Sequence, residues 1–111
     1  MTYYLLGGTV AASTSATFER EFRKAKLTKV IFFAEAGHAG QVEMNLRAAG
    51  IDVLDTQQVA NSGTAKHGYF GDNDGVALPT GIEFSGKLVF AVDNNDSVEQ
   101  FAKIICEVVE L

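Results

Sequence analysis

Residues 3–15, YYLLGGTVAASTS, constrain the chain more than any other stretch. A short apolar run breaks into Gly7 and Gly8, carries Thr9, and passes through Ser13, Thr14 and Ser15 into an amphipathic segment. That is the order of a strand, a loop and a helix N-terminus, the place where an open α/β sheet keeps its ligand. Tyr3 to Leu6 shows no alternation, which suits a strand covered on both faces. Phe18, Phe22 and Ala25 then recur at helical spacing with charged residues between them, and predict an amphipathic helix over 15–26. Ser13, Thr14 and Ser15 are all competent to cap it.

Further along, KVIFFA at 29–34 is rich in β-branched and aromatic residues and predicts a strand. EAGHAG repeats the glycine punctuation, and Val42, Leu46 and Ala49 fall on one stripe of a second helix over 40–49. Gly50 sits where a left-handed residue would stop that helix, and IDVL at 51–54 predicts a third strand. Three strands separated by two helices argue for βαβαβ and a parallel sheet with right-handed crossovers. Residues 55–81 hold the one proline and no sustained period, and predict a helical turn near 57–61 and a strand at 76–78. IEF at 82–84 and KLVFAV at 87–92, joined by Ser85-Gly86, predict an antiparallel edge hairpin over 82–92. A third helix over 96–111 would put Val98, Phe101, Ala102, Ile105, Val108 and Val109 on a wide apolar stripe. The expected fold is α/β: one domain over 1–111, a small Rossmann-like or flavodoxin-like three-layer sandwich with a mostly parallel sheet.

Composition bounds the function. With 111 residues and 47% hydrophobic content the chain can bury a single core. A net charge of -5 leaves no broad basic face for nucleic acid, although a local site for a small anionic ligand fits. Cys106 is alone and no charged-then-apolar leader opens the chain, so the cytoplasm is the expected compartment. No apolar run approaches the roughly 20 residues that span a bilayer, so no membrane is expected.

In a parallel sheet the strand carboxyl ends share one rim, which would gather Gly7, Gly8 and Thr9 with Glu35, Gly37 and His38, and with Asp93 to Asn95. Backbone N–H groups at the helix starts near Ser13, Thr14, Ser15 and Gly40 would favour a phosphate there. The segment is neither a G-x-G-x-x-G fingerprint nor a Walker A loop, and a turn plus cap with no ligand accounts for the same residues. GGTVA resembles the GGTIA segment of L-asparaginases, in which the threonine after a first strand is a nucleophile. That likeness covers five residues, and no activity is carried over on it. Thr9 as a nucleophile would need a base, and the candidates are His38, between glycines at an expected helix start, and Glu35. Lys66 and His67 resemble a lid over an anion; a polar loop is the plainer reading. The histidines and single cysteine show no zinc spacing, and no structural metal is expected.

Three functions compete. The first binds a nucleotide or other phosphorylated small molecule at the rim, with hydrolysis or group transfer assisted by Thr9 and His38. The second is a non-catalytic regulatory or assembly subunit forming a homo-oligomer, through the last amphipathic segment or the edge near 82–92. The third is a phosphocarrier using His38. No cofactor is named by any of them.

Overall fold

A computed structural model describes residues 2–34, 41–53, 58–61 and 76–111. Every element among them is a strand: β1 (Thr2–Val10), β2 (Thr14–Ala34), β3 (Gln41–Ala48), β4 (Ile51–Asp52), β5 (Gln58–Asn61), β6 (Val76–Asn94) and β7 (Gln100–Glu110). They form one seven-stranded sheet in the order β1-β7-β2-β6-β3-β4, with β5 also on β3, and every pairing is antiparallel. The Rossmann-like parallel sandwich is therefore overturned. So are the three helices: residues 15–26 lie in β2, residues 41–48 of the second helix form β3, and residues 100–110 of the third form β7.

β2 organises the rest. Its first half, from Thr14 to Phe22, pairs with β6, and its second half, from Ala25 to Ala34, pairs with β7 on one side while β6 continues along the other as far as Val30. The sheet thus folds over on itself into two layers that share β2 and β6: β1, β7, the second half of β2 and the start of β6 in one, and the first half of β2, the rest of β6 and β3 in the other. Between the layers lies a core from strict alternation, with Val30, Phe32, Ile104, Cys106, Leu46 and Phe90 all fully buried. Phe90 of one layer meets Phe32 of the other at a centroid distance of 6.2 Å and Phe18 of its own layer at 6.3 Å. Tyr4 closes on Phe22 edge to face at 5.0 Å, under the Arg20 guanidinium 4.3 Å from the Tyr4 ring.

Two irregularities let β2 serve both layers. Between Phe22 and Ala25 the register against β6 shifts, and the buried set changes from even to odd positions. Between Leu27 and Lys29 it shifts again against β7 and returns to even. Both are β-bulges, which bend a strand and sharpen its twist. Each is pinned: Leu111 N–H donates to the Lys24 carbonyl at 3.0 Å, and the Thr28 hydroxyl donates to Glu107 Oε1 at 2.8 Å.

These bulges are why β2 resembles a helix in sequence. Phe18 and Phe22, four apart, share a face in a strand as in a helix, and the first bulge supplies the three-residue step to Ala25 that mimics the next helical turn. β3 is a plainer case, since Val42, Met44, Leu46 and Ala48 alternate and are all buried. Gly50 does not stop a helix. Ala49 and Gly50, with φ of 51° and 82°, form the two-residue turn between β3 and the two-residue β4, a left-handed pair of the type I′ kind. The strand expected over 51–54 is thus confined, among the described residues, to Ile51–Asp52. Residues 82–92 make no edge hairpin: β6 runs unbroken through Ser85 and Gly86 and lies between β2 and β3. Gln58–Asn61 is strand rather than a helical turn, and the strand expected at 76–78 opens β6.

Gly7 is a fixed point of this fold. Its φ is +146°, and a Cβ there would lie 2.3 Å from the Ala102 carbonyl and 2.5 Å from Lys103 Cα, both backbone atoms. Gly7→Ala should therefore lose about 3 kcal/mol of stability. Gly50→Ala meets open space and costs only its left-handed backbone, about 1 kcal/mol. Urea denaturation of the two variants checks the ranking.

Candidate functional site

The serines and threonine read as helix caps close a turn instead. Ser13, in the left-handed region at φ 55°, donates its N–H to the Asp96 carbonyl at 3.0 Å, and the Thr14 hydroxyl donates to the Ala11 carbonyl at 2.7 Å. The Ser15 hydroxyl donates to Asp93 Oδ1. The β1–β2 turn is thereby tied to the β6–β7 loop. Sequence reasoning placed 13–15 and 93–95 near one another for a parallel rim, and antiparallel pairing joins them for a different reason: Thr14 pairs with Asn94 and Ser15 with Asp93. No rim of strand carboxyl ends exists, because neighbouring antiparallel strands end on opposite edges. Thr9 is an exposed residue of β1 opposite Phe101, and Gly8 faces inward, where a Cβ would lie 3.1 Å from the Phe18 ring. Glu35, Gly37, His38, Gly40, Lys66 and His67 lie outside the described residues.

A buried polar cluster at this end went unforeseen. Asn94 and Asp96 are each 1% exposed, and Gln100 is buried beside them. Asn94 Nδ2 has two hydrogens. One is directed to the Val98 carbonyl at 3.0 Å, the other is shared between the Val10 and Ala11 carbonyls at 3.0 and 3.3 Å, and Asn94 Oδ1 accepts the Asp96 N–H at 2.9 Å. The Asp96 carboxylate accepts from Ser97 N–H at 2.7 Å and Gln100 Nε2 at 2.9 Å. This satisfied network cross-links two loops. Its role is structural.

The two outer faces of the sandwich differ in kind. Outward on the β2–β6–β3 layer stand Ser15, Thr17, Glu19 and Glu21, then Lys87, Val89, Ala91 and Asp93, then Glu43, Asn45 and Arg47, with Lys87 Nζ bonded to Glu19 at 3.1 Å. The outer face of the β1–β7–β2 layer is apolar at its centre. Register puts Leu5, Ile105 and Ile31 in one row across the three strands, Gly7, Lys103 and Phe33 in the row on one side, and Tyr3, Glu107 and Lys29 in the row on the other. Tyr3 is 59% exposed, Leu5 57% and Phe101, one row further, 37%. Lys103 Nζ lies 5.1 Å from the Phe33 ring centroid. The Tyr3 hydroxyl donates to Glu107 Oε2 at 2.7 Å. That bond holds the Glu107 carboxyl below its ordinary pKa, helped by the Thr28 hydroxyl, and holds the Tyr3 phenol above its own.

A shallow apolar pocket of about 120 Å³ also opens between the β3–β4 turn and β6, lined by Ile51, Val53, Ile82 and Phe84 among others. It carries few polar groups to orient a ligand. Among the described residues no cluster of three or more His, Cys, Asp or Glu side chains could hold a metal ion, and no helix is long and apolar enough to cross a membrane. No protein-family model matches the chain, and no curated protein matches it.

Asn94→Ala should cost about 2–4 kcal/mol by orphaning buried carbonyls, lowering the urea midpoint with the m-value unchanged. The Cys106 thiol, buried and pushed up to about 12 by desolvation, should resist thiol reagents in the folded protein and react only as fast as the chain opens. Labelling followed against urea concentration checks this.

Proposed function

We propose that the protein is a non-catalytic assembly module, a β-sandwich that associates with a second copy through the outer face of β1, β7 and β2. One observation carries the reading: that face presents the row Leu5–Ile105–Ile31 with Tyr3 and Phe101 exposed around it, while the opposite outer face is polar and charged apart from Val89 and Ala91 on β6. Soluble monomers rarely expose contiguous apolar surface, and a sheet apolar on both sides is one that is covered on both sides. The surface put forward for the last amphipathic segment keeps its place in the chain, now as the outward residues of a strand.

Nucleotide binding has less to support it. It was argued from helix N-termini and a shared strand rim, and neither is present among the described residues. The residues offered as its anion contacts at 13–15 are engaged with Ala11, Asp93 and Asp96.

Static light scattering on a sizing column tests the assembly reading. The wild type should run as a dimer or larger at sub-millimolar concentration, and Leu5→Glu should run as a monomer with its unfolding free energy within about 0.5 kcal/mol of wild type, as for other surface changes. A monomeric wild type, or a Leu5→Glu variant that associates undiminished, would overturn it.

A further inference from the structure

The rows that flank the apolar centre are charged in a self-complementary way, and this selects how two copies meet. Face-to-face sheets pack about 10 Å apart with strands nearly aligned. A two-fold axis in the interface can then run along the strands or across them. An axis along the strands through β7 lays each β7 residue on its own copy, so that Glu107 meets Glu107 and Lys103 meets Lys103. An axis across the strands, along the Leu5–Ile105–Ile31 row, exchanges the two flanking rows. Glu107 then meets Lys103 twice per dimer.

We propose that the copies associate about this second axis; the inference rests on the assembly reading above and adds the partner's orientation to it. Two pairings agree with it independently. The Glu107 carboxylate is oriented by Tyr3 and Thr28, and it meets the one cation on β7, Lys103. Tyr3, the most protruding ring of the face, meets Gly7, where the backbone contacts of β7 leave no room for any side chain. The apolar row sits on the axis and meets itself. Three strands of this height offer a small footprint, roughly 400 Å² in projection per copy, so the charge pairs act chiefly by excluding the wrong orientation.

The test is a pair of charge reversals. K103E alone sets two acidic pairs against each other in its homodimer, and E107K alone sets two basic pairs; each should weaken self-association at least about tenfold at low salt. Mixed in equal amounts, the two should form a heterodimer, since both of its contacts are then oppositely charged. Circular dichroism and a cooperative melt establish that each variant folds. Should E107K fail to fold, K103E against K103Q replaces it: the glutamate must weaken association more than the glutamine at low salt, and the difference must vanish at high salt. A wild type that does not associate overturns the assembly reading, and this inference with it. A wild type that dimerises and is broken by Leu5→Glu, but whose charge variants dimerise normally and show no preference for each other, overturns the axis alone.

Discussion

Everything in this fold depends on one strand belonging to two layers. β2 pairs with β6 from Thr14 to Val30 and takes on β7 only over its second half, from Ala25 to Ala34, so its side chains must point into the same core from both layers. A strand of strict period two could not bend between the layers at this sharpness and keep its apolar residues inside. The two bulges change the parity of the pleat and then restore it, and Phe22, Ala25, Leu27 and Val30 all stay buried through the crossing. Once the crossing is set, the pairings of β6 and β7 follow, and with them the layer in which each outer residue stands.

The two layers then face different demands. β3 alternates cleanly, with Val42, Met44, Leu46 and Ala48 inside and Glu43, Asn45 and Arg47 outside, and the outer face it shares with β6 carries only small apolar groups, Val89 and Ala91, among polar and charged ones. β7 does not alternate in this way: Phe101, Ile105 and Val109 stand outward while Ala102, Ile104, Cys106 and Val108 fill the core. Leu5 and Ile31 extend the outward set on either side. A sheet can be apolar on both faces only at a cost in water, about 25 cal/mol for each square ångström of apolar surface left exposed. Association is the direct way to remove that cost.

How much of this was legible in the sequence divides along the same line. Where a strand alternates, as over Val42, Met44, Leu46 and Ala48, the period was present, and a helical stripe through Val42, Leu46 and Ala49 concealed it because positions four apart share a face in either structure. Where a strand is apolar on both faces, as over Phe101 to Val109, any stripe can be drawn, and the wide helical stripe there was an outer face and a core face merged. Apolar Tyr3 to Leu6 and the strand in 29–34 were readable as strands, but the cover expected on both faces of Tyr3 to Leu6 is absent from the single chain, where Tyr3 and Leu5 are 59% and 57% exposed. The direction of pairing was not readable at all, since it rests on contacts between residues such as Leu5 and Ile105 that local patterns do not encode. The buried Asn94 left no local sign either; its partners at Val10, Ala11 and Val98 are backbone carbonyls brought together only by the fold.

The glycines of GGTVA show what the opening stretch does in place of binding an anion. Gly7 and Gly8 are neighbours in a strand, so they face opposite ways, and each removes a side chain for a different reason. Gly8 admits the Phe18 ring to the core, and Gly7 admits the backbone of β7 at Ala102 and Lys103. Among the described residues β1 pairs only with β7, and it carries no charged residue from Thr2 to Val10. It has none of the lysines or prolines that usually protect a free strand edge. An unprotected edge beside an apolar face raises the probability of contact with another chain whatever its orientation. On the neighbouring strand, the charged residues of the outer face are Lys103 and Glu107, placed symmetrically about Ile105, and any preference among such contacts that rests on charge has to come from them.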